Sequence, residues 1–314
     1  MNNIPERQNE DRMLALLRAR RALYRNAKNW QGAVVWFTLL LPIANCGTTI
    51  WGLSLTPLLA VAALLFGLVE ILFIDSWLKR RLAEGAKLQE EFDCEVLGMH
   101  WNELVAGKKV DHERVHSASR NRLDSKSEQQ LRDWYPTAVG RLPLHLARVL
   151  CQRENLMYDG KVRDFYSYVL AGGAFALFGG ALAYGGLAAQ LRMSEWVVGI
   201  LAPAIPALMW AAREFRRQRN TVESLEVLKA EADKLWKKAE AGGAPDAISA
   251  TSRELQNALY NHRISSPLIF DFLYRFRRKG LEDEMNAGAL HHVDRYAARG
   301  AASAQFSNPP DGVR

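Results

Sequence analysis

The sequence predicts an all-α membrane protein: four transmembrane helices arranged as two hairpins, plus a mostly helical cytoplasmic domain built from the middle and C-terminal segments. Three observations predict it. From Gln31 to Ile74 the chain runs 44 residues with a single charge, Glu70. A second apolar stretch from Phe165 to Ala212 carries only Arg192 and Glu195. A spanning helix needs roughly 20 mostly apolar residues, so each stretch is long enough for two passes. Third, Lys and Arg cluster at the outer ends of both stretches. The mean hydropathy of −0.16 hides this pattern, because the charged 24% of the chain lies almost wholly outside the stretches.

The elements follow in chain order. Residues 1–30 form an N-terminal cytoplasmic helix in which Met13, Leu16, Leu17, Leu23 and Tyr24 recur at helical spacing. That face suits either a membrane-surface helix or a helix packed on the cytoplasmic domain. Residues 31–78 form hairpin 1, with spans near 31–52 and 56–77 joined at Gly52–Pro57. Residues 79–163 form a cytoplasmic segment. Lys79 to Leu104 continues the second span as a stalk, Gly107 to Gln129 reads as polar loop, and Pro143 sits at the first turn of a helix running toward span 3. Residues 164–212 form hairpin 2, with spans near 165–187 and 194–212.

Residues 213–298 form the C-terminal helical segment, where Leu225, Leu228, Ala232, Leu235 and Ala239 alternate spacings of 3 and 4. Lasting about two heptads, this suits core packing or a short self-association seam. Ala241 to Pro245 ends that helix, another begins around Ser252, and Pro267 opens an aromatic, basic run through Lys279. The Ala, Ser, Pro and Gly tail, 299–314, is expected to be disordered.

Topology follows from the flanking charges. Arg18, Arg20, Arg21, Arg25 and Lys28 precede span 1, Lys79, Arg80 and Arg81 follow span 2, and Arg213, Arg216, Arg217 and Arg219 follow span 4. The opposite side offers only Arg192. Both termini are therefore expected in the cytoplasm, which leaves almost nothing outside and makes a poor receptor for an external ligand. The net charge of +7 and pI of 9.4 reflect this topology and contact with lipid headgroups rather than with a nucleic-acid polymer.

The three cysteines, Cys46, Cys94 and Cys151, are far apart and suit free thiols in a reducing compartment. The N-terminus lacks the basic and short apolar regions of a cleaved signal peptide. No P-loop, G-x-S-x-G or dinucleotide fingerprint occurs, so neither enzyme nor cofactor is predicted. Asp111-His112-Glu113, with His116 at H-E-x-x-H spacing, lies in a polar stretch and reads as a solvated charge run; Cys94 with His100 is not a metal pair, and His291-His292 reads as surface. Within the spans, Glu70 is the one acid deep enough to line a pore or gate, or to pair between helices, whereas Asp75 near Lys79 reads as an interfacial anchor. Gly172-Gly173, Gly179-Gly180 and Gly185-Gly186 suit close helix approach or oligomerisation of span 3.

Three stretches carry a resemblance: Phe92 to Gly98 with Trp101-Asn102, Cys151 to Asn155 with Tyr158-Asp159, and His262-Arg263 with Ser266-Pro267 and Asp271 to Tyr274. With four spans in a 2+2 arrangement, they resemble the SMODS-associated four-transmembrane family of pore-forming effectors. Where the family pattern often has proline before the acid of the third stretch, this chain has Phe270. The resemblance implies a bacterial inner-membrane effector in antiphage signalling. A cyclic di- or oligonucleotide would bind the cytoplasmic domain, and the spans, in a homo-oligomer, would then disrupt the membrane. Phosphates and bases call for arginine and stacking aromatics. Arg153, Arg263, Trp101, Tyr158 and Tyr274 could supply these, with Asn155 reading a base edge. The same residues could instead form a buried network with Asp93 and Glu154 that holds the cytoplasmic segments together. A non-gated channel or transporter and a membrane scaffold for a cytosolic partner remain the alternative functions.

Overall fold

The computed structural model describes residues 2–50, 55–120, 124–183, 197 and 202–307. Among them no strand occurs. In chain order the elements are α1 (Ile4–Arg7), α2 (Asp11–Ile50), α3 (Thr56–Val69), a π-helical turn (Glu70–Ile74) and α4 (Asp75–Val96). Then come α5 (Glu103–Ala106), α6 (His112–Ser119), α7 (Ser125–Gln129), a 3-10 turn (Thr137–Arg141) and α8 (Leu144–Ala183). The last three are α9 (Ala202–Glu240), α10 (Pro245–Ser265) and α11 (Asp271–Ser307).

The long helices ignore the boundaries that composition suggests. α2 runs unbroken from the N-terminal helix into the first apolar stretch, and α8 carries the middle segment into the second. α2 lies antiparallel to α3–α4, with Trp30 edge-to-face on Trp77 at 6.0 Å and Phe37 against Phe66 at 3.9 Å. α8 pairs with α9 in the same sense: Arg163 meets Gln218, Asp164 meets Arg219 and Arg153 meets Asp233. Among the described residues one helix, from Pro57, is long and apolar enough to cross a membrane. Its apolar side chains face outward, as with Ile71 at 71% exposure, and so does Phe175 of α8 at 78%. The end of predicted span 3 and the start of span 4 lie outside the described residues, as do Gly185 and Gly186. A Cβ built on Gly172, Gly173, Gly179 or Gly180 would meet nothing within 4 Å, so these glycines do not set the approach of helices within one chain.

One core joins the three segments that flank the apolar stretches. Ile4, Leu14 and Leu17 from the N-terminus, Phe92 of α4, Tyr135, Leu146 and Leu150 of the middle segment, Trp236 of α9 and Val293 of α11 share one cluster. Burying each large side chain contributes about 1.5–3 kcal/mol relative to leaving it exposed. The N-terminal helix is thus a core element, which decides between its two sequence readings. Leu225, Ala232, Leu235 and Ala239 are likewise buried within the chain, covering the stretch that could have formed a self-association seam.

Four local expectations need correction. The polar stretch Gly107–Gln129 contains α6 and α7, because Val115 gives α6 an apolar anchor against the core. α10 starts at Pro245 rather than near Ser252, since a proline's fixed φ suits the first helical turn. α11 continues through Ser307, so 299–307 is helical; it is alanine-rich, and alanine is the strongest helix former. The remainder of that tail lies outside the described residues. Finally, His292 is not a surface residue: it is half-buried, edge-to-face on the fully buried Trp236 at 5.1 Å, although His291 is exposed.

That last contact has a pH consequence. Burial, helped by the charges of Arg153 and Arg295, lowers His292 from 6.5 to about 4. Between these values the unfolded chain holds a proton that the folded chain rejects. Its contribution is therefore complete above pH 6.5 and is lost as pH falls toward 4. The unfolding midpoint of detergent-solubilised protein is expected to drop over this window. His292→Phe should flatten the slope; an unchanged slope in the variant would reject the assignment. His145, lowered by burial and by Arg148, acts with the same sign and leaves a residual slope.

Candidate functional site

α4 places Gln89, Glu90 and Asp93 on a buried face, between the apolar residues Leu88 and Phe92. It can do so because α10 brings two cations and an amide to the same face: Arg253, Gln256 and Arg263, spaced by 3 and 7, lie on one side of that helix. Arg253 donates to Glu90 at 2.5 Å and Arg263 to Asp93 at 2.6 Å. Gln256 Nε2 bridges the two acids, at 2.8 Å from Glu90 and 3.0 Å from Asp93. Asp93 also accepts from Gln89 at 2.7 Å and from the Tyr135 hydroxyl at 2.7 Å. Asn155 of α8 donates to that hydroxyl at 3.2 Å, and Gln152 bonds both Gln256 and Ser252.

Two carboxylates thus meet two guanidiniums, and the charge is locally balanced. Burial alone would lower Arg263, but Asp93 and Glu90 raise it. Burial also pushes the Tyr135 hydroxyl well up and the Cys94 thiol up to about 12, the latter with help from Glu90. Arg253 donates to Cys94 Sγ at 3.0 Å and to the His100 carbonyl at 3.1 Å. The backbone turn holding His100 is set by Gly98, at φ +63°, which closes α4: the Met99 N–H bonds the Cys94 carbonyl at 2.8 Å. Arg148 secures the same turn by donating to the Leu97 carbonyl at 2.6 Å.

A second cluster sits where α8 and α9 approach the apolar stretches. Arg163, 8% exposed, donates to Asp159 at 3.0 Å, Gln218 at 3.0 Å and the Pro267 carbonyl at 2.8 Å. One side chain thereby fastens α8, α9 and the α10–α11 connection. Burial would raise Asp159, yet Arg163 and His262 hold it well below the usual carboxylate range.

The six predicted ligand-binding residues are distributed over several places. Arg263 and Asn155 belong to the α4–α10 network. Arg153 is held by Asp233 at 2.6 Å and Glu154 at 2.8 Å, against α9. Tyr158 and Tyr274 face each other at 6.0 Å near the Arg163 cluster. Trp101 donates to the Gly107 carbonyl at 2.8 Å, with Lys109 5.6 Å from its ring centre. Glu70 begins the π turn; its carbonyl accepts from the Asp75 N–H, and its side chain has no partner among the described residues. Asp75 pairs with Lys79 at 2.7 Å.

Sequence reasoning did not single out Glu90, Arg253, Gln256, Tyr135 or Arg163. A signal existed for the first three: polar residues on an otherwise apolar face of α4, with two arginines ten residues apart on a later helix. Nothing in the sequence marks Tyr135, whose role depends on loop geometry.

Comparison with known proteins gives this architecture a relationship. The chain is 25% identical, over 289 residues, to a protein of Bacillus cereus (strain VD146) described as a probable CBASS effector molecule; the match covers 89% of this chain and 95% of that one. No solved structure matches the chain. The family profile of the SMODS-associating 4TM effector domain matches residues 2–292. With the match spanning the helical core and both apolar stretches, the chain belongs to the SMODS-associating 4TM effector domain family.

Proposed function

We propose that this effector senses a cyclic oligonucleotide through its cytoplasmic domain and then permeabilises the bacterial inner membrane through four spans, with both termini in the cytoplasm. The observation that carries the reading, beyond the family, is helix continuity. α2, α3–α4, α8 and α9 each pass from the shared cytoplasmic core into an apolar stretch, so a shift in that core must move the helices beyond it. Membership of an effector family supports the input; the relative's description as a CBASS effector supports an antiphage role.

Ligand binding by Trp101, Arg153, Asn155, Tyr158, Arg263 and Tyr274 belongs to the same proposal. Most of these side chains are engaged with protein partners, so a ligand that recruits them selects a rearranged state. It gates only by its tighter binding to that state. Trp101, half-buried beside Lys109, offers a stacking face for a base. Glu70 is proposed as the gating acid, because π turns interrupt regular helix bonding and recur at functional sites. Homo-oligomerisation is proposed through span 3, whose described glycine pairs touch nothing in their own chain.

The test is dye release from liposomes containing the purified protein. A cyclic di- or trinucleotide is expected to trigger leakage, and Glu70→Gln to alter its ion selectivity. Silence across a broad panel of both ligand classes would refute the reading. Leakage that is constant with and without ligand would instead indicate a non-gated channel.

A further inference from the structure

Between α2, α4 and α6 lies an open groove of about 350 Å³, lined by Arg25, Asn26, Asn29, Arg81, Arg114 and Ser117, among others. We propose that this groove binds the phosphate of an anionic lipid headgroup in the cytoplasmic leaflet. The inference rests on hairpin 1 crossing the bilayer and is independent of cyclic-nucleotide sensing.

Charge is the first support. Arg81 and Arg114 share a single carboxylate, Glu84, with Arg81 Nη1 at 3.1 Å and Arg114 Nη2 at 3.1 Å from Oε2. Arg25 is exposed and has no side-chain partner among the described residues. Three guanidiniums against one carboxylate leave an excess of positive charge facing a concavity. Guanidiniums, side-chain amides and a hydroxyl are donors that match phosphate oxygens.

Depth is the second support. Trp30 and Trp77 form their edge-to-face pair where the apolar stretch ends, the position that interfacial tryptophans favour. Arg81 lies over Trp77, its guanidinium carbon 5.2 Å from the ring centre. Arg25 and Arg81 are each about one helical turn to the cytoplasmic side of their tryptophan. At 1.5 Å rise per residue that places the groove roughly 6 Å beyond the ring pair, at headgroup level. Basic pockets at this depth beside membrane helices suit phosphorylated headgroups.

A soluble cyclic oligonucleotide shares the phosphodiester chemistry. The groove lining, however, contains no aromatic ring on which a base could stack. That favours the lipid.

The experiment uses full-length protein in neutral detergent and follows its thermal unfolding midpoint during titration with phosphatidylglycerol. Phosphatidylcholine, inorganic phosphate and a cyclic dinucleotide are titrated in parallel. Phosphatidylglycerol is expected to raise the midpoint more than the other three. Arg25→Gln/Arg114→Gln should weaken its apparent affinity about tenfold or more, as loss of a charge-assisted contact does. Arg25→Gln alone removes no intramolecular contact and should move the same way, so it decides the matter if the double variant fails to fold. Lys234→Gln, at a residue 72% exposed on α9, should leave the response unchanged. Equal responses to the two lipids, or wild-type affinity in Arg25→Gln, would overturn the proposal. A midpoint shift that follows the cyclic dinucleotide or inorganic phosphate instead, and is lost in the variants, would overturn the lipid assignment in favour of a soluble phosphate ligand.

Discussion

Asp93→Ala is expected to destabilise the helical core by about 3–5 kcal/mol, the cost of breaking a buried ion pair from one side. Asp93 is fully buried and accepts from Gln89, Tyr135, Gln256 and Arg263. Removing it strands the Arg263 guanidinium opposite Glu90, whose carboxylate lies 4.0 Å away and is already held by Arg253. Asp93→Asn should cost less, because the amide oxygen still accepts hydrogen bonds although the charge is lost. Cys94 and Cys151 report on the same event: both are buried free thiols pushed up by burial, and so unreactive while the core is closed. In a Cys46→Ser background, Asp93→Ala should lower the unfolding midpoint and speed labelling of both thiols. Wild-type labelling rates and midpoint in the variant would show that the network does not hold α4 to α10.

Arg163→Ala is the second large effect. The side chain makes three hydrogen bonds, one within α8 and one each to α9 and the α10–α11 connection, and bonds involving charged groups contribute about 1.5–3 kcal/mol each. A loss on the order of 3 kcal/mol or more is expected, because Asp159 also loses the cation that keeps it ionised. Its position makes it more than a stability residue. The contact ties the α10–α11 connection to the entry of α8 and α9 into the second apolar stretch. If helix continuity transmits gating, the variant should leak dye from liposomes without any nucleotide, whereas Arg253→Ala, farther from the apolar stretches, should destabilise with less leakage. Matched leakage from both variants at equal destabilisation would reduce the role of Arg163 to stability alone.

The two networks also explain why burying so much charge is tolerated. Replacing a buried ion pair by apolar residues is often neutral or stabilising, so such pairs are weak evidence for stability. Here they join residues more than 100 positions apart, and a bonded network accepts few alternative partners. A helical bundle whose apolar faces are interchangeable gains a defined register from such contacts. An effector gated as proposed above has use for that definition.

Legibility differed sharply between the apolar stretches and the charged ones. The all-helical class, the apolar stretches and the basic flanks could be read directly, because hydropathy and charge placement are local properties that survive any tertiary arrangement. Helical periodicity likewise marked Leu225, Ala232, Leu235 and Ala239 as one face, but not what covers it. The reading of 299–314 as a disordered tail was limited for a different reason: low complexity rich in alanine is also a good helix sequence.

By itself, the sequence determined that this is a helical protein with two long apolar stretches, basic flanks and a charged remainder, since each follows from residue type and spacing along the chain. It also placed Arg153, Arg263, Asp93 and Glu154 within short motifs, with the two acids as possible partners for the arginines. Only the tertiary structure decided that the N-terminal helix is part of the core, that Arg263 meets Asp93 while Arg153 meets Asp233, and that Arg163 closes the second cluster. The physical reason is distance along the chain. Which of many arginines reaches which carboxylate depends on helix orientation and crossing, and neither is encoded in any single segment.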